Sequence, residues 1–188
     1  MSLLVRDSFG KRPPFAAPGV TGTMAVSFAA NAAMFAMRNG PATGRPLAIY
    51  EVSLYYQVVA VIAADALRRL AIFRGTGAAA TGGTAIAAAT KYNTAFLATS
   101  ACDAANGGDI RVATTAALGV AGITFEAIPA HLFPVGNVTA AGTGTLLIAD
   151  LSRDPFELQP GELMAIRAPV AFPAAGTWTA HVTPKWFE

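Results

Sequence analysis

The segment from Leu47 to Val58 constrains the fold more than any other part of the chain. Its order, Leu-Ala-Ile-Tyr-Glu-Val-Ser-Leu-Tyr-Tyr-Gln-Val, alternates between apolar and polar residues over much of its length. Successive side chains of a strand point to opposite faces, so Ile49, Val52, Leu54 and Tyr56 lie close to one face if a bulge interrupts the strand. The segment therefore predicts a long, half-buried strand.

Short apolar segments divided by turn residues follow on both sides of this strand. Turn clusters such as Asn39-Gly40-Pro41, Asn106-Gly107-Gly108-Asp109 and Gln159-Pro160-Gly161 favour tight connections. Further strands are predicted at 23–28, 31–38, 71–74, 110–115, 122–128, 145–148, 155–158, 163–168 and 177–186. Residues 59–70 are the one helix candidate. The pattern predicts an all-β, antiparallel β-sandwich that is jelly-roll-like and has at most one short helix.

The first twenty residues differ from the rest. Arg6, Asp7, Lys11 and Arg12 concentrate charge, and the prolines at 13, 14 and 18 disfavour both helices and central strands. We therefore predict an extended N-terminal arm over 1–20 and one sandwich domain over 21–188.

The low content of charged residues is the main clue to function. Charged residues make up 13% of the chain and hydrophobic residues 54%, whereas soluble domains usually carry about 25% charged residues. The longest uninterrupted apolar segment, 58–64, is too short to span a bilayer as a helix. We therefore expect much of the surface to be covered by protein neighbours.

The charge pattern and the N-terminus bear on partners and location. The net charge is +2, and the cluster of Arg68, Arg69 and Arg74 lacks the run of basic residues that follows a phosphate backbone. We therefore expect no nucleic acid and no membrane partner. Asp7 and a proline pair occupy the place of a secretory apolar region, so we expect no signal peptide and a cytosol-like compartment for the chain.

No pattern in the sequence indicates catalysis, a cofactor or a small-molecule substrate. Cys102 has no histidine near it in sequence, and His131 and His181 are too few for a zinc set. Asp150, Ser152 and Asp154 have the alternate spacing of a calcium loop, but Arg153 lies inside it, so a polar turn is the better interpretation. The glycine-rich loop 75–84 lacks the lysine of a phosphate-binding loop.

The final segment, 158–188, resembles the C-terminal part of structural proteins from tailed phages and prophages. The similar features are the Gly161-Glu162 turn, the Ala175-Gly176-Thr177 turn and a last strand that ends in Trp186 and Glu188. Segment 31–39 and Gly82-Gly83-Thr84 are also similar. The resemblance covers much of 23–188 and leaves the arm outside it.

The resemblance implies a virion β-sandwich protein of the capsid decoration, cement or head-fibre type, with no catalytic residues. We expect a cement subunit located in the virion that binds the major capsid protein and copies of itself, in a homotrimer that suits three-fold positions of the shell. The expected partner contacts are aromatic and basic side chains of the arm and the two tryptophans: Phe9, Lys11, Arg12, Phe15, Trp178 and Trp186.

Two other functions remain open at this point. A receptor-binding or carbohydrate-binding module of a fibre would present exposed aromatic side chains in a groove. A hydrolase would require two carboxylates within roughly 10 Å in an open cleft.

Overall fold

A computed structural model describes residues 14–25, 28–62, 68–86, 90–91, 99–135, 140–172 and 176–188. In this part of the chain two antiparallel β-sheets pack face to face around one apolar core. The predicted all-β sandwich is therefore confirmed.

The first sheet contains eight of the described strands. They are β1 (Pro14–Ala16), β2 (Gly19–Val20), β3 (Met24–Ala25), β5 (Leu47–Ala60), β8 (Thr90–Lys91), β12 (Gly144–Asp150), β13 (Phe156–Leu158) and β15 (Thr177–Phe187). The order is β12-β5-β15-β1-β8, while β13 also pairs with β5, and β2 and β3 also pair with β15.

The second sheet contains seven of the described strands. They are β4 (Ala33–Arg38), β6 (Arg69–Gly77), β7 (Thr84–Ala85), β9 (Asp109–Val112), β10 (Ile123–Phe125), β11 (His131–Pro134) and β14 (Glu162–Arg167). The order is β10-β6-β14-β4-β9-β7, and β11 pairs with β6 beside β10. Two single-turn 3₁₀ helices, Pro41–Thr43 and Ala104–Asn106, complete the described elements.

The strand order is that of a jelly roll, in which the chain folds back on itself as one long two-stranded ribbon. Each early strand pairs with a late one: β1 with β15, β4 with β14, β5 with β12, and β6 with β10 and β11. Successive ribbon segments lie in alternate sheets, so winding the ribbon builds the sandwich. The middle strands β7, β8 and β9 extend the two sheets beyond β4 and β1.

The bulge predicted in the long strand is present. Val52 pairs with Pro184, but Ile49 pairs with Trp186, so Tyr50 is an extra residue in β5. This one-residue shift keeps Ile49 and Val52 on the same, inward face of the strand, where both are completely buried.

Aromatic side chains fill the two ends of the core. Trp178 lies with its ring centroid 5.3 Å from Tyr56 and 5.4 Å from Phe28, and Trp186 lies 5.8 Å from Phe15. Strict alternation along β15 brings both tryptophans inward, since every second residue of this strand points to the core.

Most of the predicted strands coincide with observed ones, and the differences have local causes. Strands over 31–38, 47–58, 145–148, 163–168 and 177–186 correspond to β4, β5, β12, β14 and β15. The centre of the predicted helix, 63–67, lies outside the described residues, but its two ends are strands, since Val59 and Ala60 belong to β5 and Arg69 and Leu70 to β6. The long ladders of the sheets extend these strands beyond the alternating pattern that predicted them.

The predicted boundary of the arm also differs from the structure. Residues 14–16 and 19–20 form β1 and β2, which pair with β15. Pro14 opens a short strand, a position that tolerates its missing N–H. Only 1–13, which lie outside the described residues, are left for an arm separate from the sandwich.

Arginine side chains cover the outer face of the second sheet. The Arg167 guanidinium lies 3.9 Å from the ring centroid of Phe125 and 5.0 Å from that of Phe73. Arg38 donates hydrogen bonds to the carbonyl oxygens of Gly77 and Gly107, at 3.3 and 3.2 Å. Arginine stems and guanidinium planes thus replace bulky apolar side chains over a face built from small residues.

Glu188 fixes the loop that precedes β9 to the end of β15. Its Oε1 accepts hydrogen bonds from the Ser100 hydroxyl, from the Ala101 N–H at 2.8 Å and from the Trp186 indole N–H at 3.0 Å. The Arg45 guanidinium lies 3.8 Å from Oε2. The side chain of Glu188 is buried, and the three donors to Oε1 offset part of the cost of burying its charge. Oε2 accepts no hydrogen bond and has only the nearby charge of Arg45.

Replacing Glu188 by alanine tests this contact. We expect Glu188→Ala to lower the free energy of unfolding by about 3 kcal/mol, because three buried donors lose their acceptor. Urea denaturation followed by tryptophan fluorescence measures the change. Glu157→Ala, at an exposed position of β13, is the matched control and should stay within about 0.5 kcal/mol of the parent; equal effects of the two substitutions would contradict the assignment.

Candidate protein-interaction surface

A row of apolar and aromatic side chains crosses the outer face of the first sheet. Leu146 pairs with Tyr55, Tyr55 with His181, and His181 with Val20. Directly paired residues of neighbouring strands point to the same side of a sheet, so these four side chains form one line over β12, β5, β15 and β2. Leu146 is 58% exposed and Val20 52% exposed.

The next row continues this surface without charge. Ile148 pairs with Ser53, and Ser53 pairs with Thr183. Ile148 is 55% exposed. We call the seven residues of the two rows the neutral face: Val20, Ser53, Tyr55, Leu146, Ile148, His181 and Thr183. Exposed apolar residues that are contiguous, rather than scattered, mark interaction sites on soluble proteins.

Among the described residues, a row of charged side chains borders the neutral face at one end. The third row contains Asp150, Glu51 and Lys185. The Lys185 ammonium lies 2.8 Å from a carboxylate oxygen of Glu51. The border thus has both signs of charge, and a partner must match acid and base in alternation.

The absence of a side chain at Gly144 leaves room for the Tyr55 ring. A side chain at position 144 would collide with the hydroxyl and ring carbons of Tyr55. The ring also contacts His181 edge to face, at a centroid distance of 5.7 Å. The two ring planes are inclined at 74° to each other, so Tyr55 and His181 form a packed aromatic pair at the centre of the neutral face.

The structure places three of the predicted partner contacts inside the core. Phe15, Trp178 and Trp186 have no exposed surface and pack between the sheets, so these three predictions are corrected. Their positions follow from strand alternation in β1 and β15. The other three, Phe9, Lys11 and Arg12, lie outside the described residues.

The predicted basic cluster does not form one surface. Arg68 is 1% exposed and donates a hydrogen bond to the Tyr56 hydroxyl at 3.2 Å. Arg69 is exposed in β6. Arg74 lies 3.8 Å from Glu126 and has its guanidinium over the Phe156 ring, at 4.9 Å. The three arginines therefore have three different environments.

Cys102 and the two histidines lie in different parts of the fold. Burial raises the pKa of the Cys102 thiol well above its ordinary value, and the negative charges of Glu188 and Asp103 raise it further. His131 lies in β11 beside Phe133, where burial lowers its pKa, and His181 lies in β15 of the other sheet. These positions bring no nucleophile and base together.

An open cleft of about 350 Å³ at the edge of the sandwich contains the two aspartates of the predicted polar turn. Arg74, Asp150, Arg153, Asp154 and Phe156 are among the residues that line it. Asp150 accepts a hydrogen bond from the Ser152 N–H at 3.0 Å, as predicted for such a turn, and hydrogen bonds from Ser152 lower its pKa. A general acid requires a raised carboxyl pKa, so Asp150 is poorly suited to that role.

Two further findings concern the described residues as a set. They contain no group of three or more histidine, cysteine, aspartate or glutamate side chains placed to hold a metal ion. They also include no helix with the length and hydropathy needed to cross a membrane.

Comparison with known proteins identifies no family. No family model matches the sequence, and no curated protein is significantly similar to it. The likeness to tailed-phage structural proteins therefore rests on the turn and strand-end motifs described above.

Sequence reasoning missed the residues of the neutral face. The run Leu146-Leu-Ile-Ala149 offers a signal, because it places apolar side chains on both faces of one strand. Val20 falls within the predicted arm, and the sequence favours a structural or interface role for His181 without indicating its neighbours. Their alignment with Tyr55 depends on strand register across residues distant in sequence.

The environment of Cys102 leads to a labelling prediction. We expect iodoacetamide at pH 8 to modify Cys102 in the folded chain about a hundredfold more slowly than in urea, because the thiol is buried and stays protonated. Mass spectrometry over time measures the rates. A chain with Cys102→Ala and the exposed substitution Ala116→Cys is the control and should react at similar rates with and without urea. Rapid labelling of folded Cys102 would contradict its assignment as a core residue.

Proposed function

We propose that the chain is a structural protein of a virus particle, a decoration or cement subunit that binds the outer capsid shell and stabilises neighbouring capsid subunits. The neutral face is the observation that carries the proposal, because it offers protein partners a contiguous, largely apolar surface bordered by both signs of charge. The low charge content of the whole chain supports the same proposal.

A jelly roll also suits a subunit that must keep its shape. Its strands pair with partners distant in sequence, and both ends of the core are filled by aromatic side chains. A rigid body loses little conformational entropy on binding, so modest contacts repeated over a shell hold it firmly.

The start of β1 defines the role we propose for the arm. Phe15 is buried and stacks on Trp186, so whatever precedes Pro14 leaves the sandwich from a fixed point at β1. We propose that Phe9, Lys11 and Arg12 contact the major capsid protein from this point.

The carbohydrate-binding alternative loses its main candidates, because Trp178 and Trp186 are buried. An aromatic sugar platform on this protein would have to be built from other residues. We therefore propose no second function.

Particle composition tests the proposal. We expect gradient-purified particles to contain the chain in amounts comparable to the major capsid protein, measured by quantitative mass spectrometry. Particles made without it should release their genome at a lower temperature. Absence of the chain from purified particles would overturn the proposal.

Deletion of 1–13 tests the arm by itself. These residues precede β1, the first of the described strands, so we expect the deletion to leave the unfolding midpoint of the sandwich unchanged. We expect it to lower particle occupancy at least about tenfold. Substituting Phe9, Lys11 and Arg12 together by alanine should have a similar effect, and full occupancy in both variants would remove the arm from the mechanism.

A further inference from the structure

We propose that the neutral face binds the neutral face of a second copy of this chain, around a two-fold axis that runs parallel to the strands between β5 and β15. This inference rests on the proposed role as an assembly subunit. It adds that the partner of the neutral face is a second copy of the chain. The arm remains the contact with the shell.

Two-fold symmetry favours a second copy as the partner, because such an interface needs only one surface of the chain. An interface around a two-fold axis uses the same surface on both partners, whereas a ring of three requires two different complementary surfaces. Among the described residues, Val59 shares the outer face of β5 with Tyr55 but lies beyond Gln57, outside the two rows. The other exposed large apolar side chains lie elsewhere: Val61 after β5, Ile128 in a loop, Leu132 in β11 and Val170 after β14. One contiguous apolar surface therefore favours a dimer over the homotrimer expected from the resemblance.

The pairing of β5 with β15 makes the outer face self-complementary. Rotation about the proposed axis exchanges the two strands and keeps each row at its own level. Tyr55 then lies over His181 of the second copy, and Leu146 lies over Val20 of the second copy. Aromatic residues thus meet aromatic residues and aliphatic residues meet aliphatic ones.

The ion pair that borders the neutral face fits the same two-fold axis. Glu51 and Lys185 are directly paired residues of β5 and β15, so the axis places Glu51 over the second copy's Lys185 and the reverse. The ion pair within one chain becomes a square of alternating charges. Like charges directly opposite would instead be repulsive.

The other outer face does not suit a second copy. Arg38, Arg111 and Arg167 lie on it, and the acid paired there is Asp109, which is 2.6 Å from Arg111. Two such faces would bring an excess of positive charge together. Charge therefore distinguishes the face that self-associates from the face that does not.

The dimensions of the neutral face indicate a weak dimer. Each residue on one face of a sheet occupies about 4.8 Å across the strands and about 6.8 Å along them, so the seven residues of the neutral face cover roughly 230 Å². A standard interface uses about 800 Å² on each partner. The face thus supports association that becomes firm when many copies stand side by side on a shell.

Charge reversal tests the proposed axis. Sedimentation velocity from about 1 to 500 μM should show wild-type dimers that form reversibly. Glu51→Lys brings four like charges together across the axis, and Lys185→Glu does the same with the opposite sign. Each variant alone should self-associate at least about tenfold more weakly.

Mixing the two variants provides the decisive measurement. One copy then presents two lysines and the other two glutamates, so the equimolar mixture should form dimers at least as tightly as the wild type. The chain with both substitutions restores the ion pair within each copy and should dimerise like the wild type, which separates association from any loss of folding. A mixture that stays monomeric would overturn the axis.

A matched pair of substitutions tests the apolar row. Leu146→Asp should abolish self-association, whereas Ile128→Asp, at another exposed apolar position, should leave it unchanged. A wild-type chain that stays monomeric while Leu146→Asp lowers particle occupancy would overturn the dimer and leave the proposed function intact. If the chain dimerises in solution but is absent from purified particles, the proposed function is overturned and the dimer remains.

Discussion

The antiparallel pairing of β5 with β15 is the interaction on which the rest of the structure depends. Its register runs from Leu54 opposite Val182 to Ala48 opposite Phe187, with the extra residue Tyr50 between. On the inner side the ladder brings together Tyr56 and Trp178, whose rings stack. On the outer side it brings together Tyr55 and His181. One register therefore determines the core and the candidate interaction surface at once.

The jelly-roll ribbon explains why the two sheets have different outer surfaces. In the second sheet, arginines that extend over small residues donate to backbone carbonyls and stack on aromatic rings, so their charge contributes to the fold. In the first sheet, side chains such as Leu146 and Val20 have no such cover among the described residues. The two outer faces therefore differ in character, one largely apolar and the other rich in arginine.

Local patterns predicted much of the fold and little of the surface. Alternation identified β5, β14 and β15, and even the bulge near Tyr50, because these signals are contained in short segments. The role of the two tryptophans was predicted wrongly, since composition alone does not say which face of a strand is buried. The neutral face requires Val20, Tyr55, Leu146 and His181 to align, and that alignment comes from pairing between distant strands.

The position of β15 also affects how the protein is made. This strand lies at the centre of the first sheet but is the last described strand in sequence, and the buried carboxylate of Glu188 follows it. A nascent chain that does not yet include β15 has both neighbours of this strand, β5 and β1, with unpaired edges. Closure of the sandwich therefore waits until β15 has been synthesised, and before that point the unpaired edges of β5 and β1 are open to pairing with other chains.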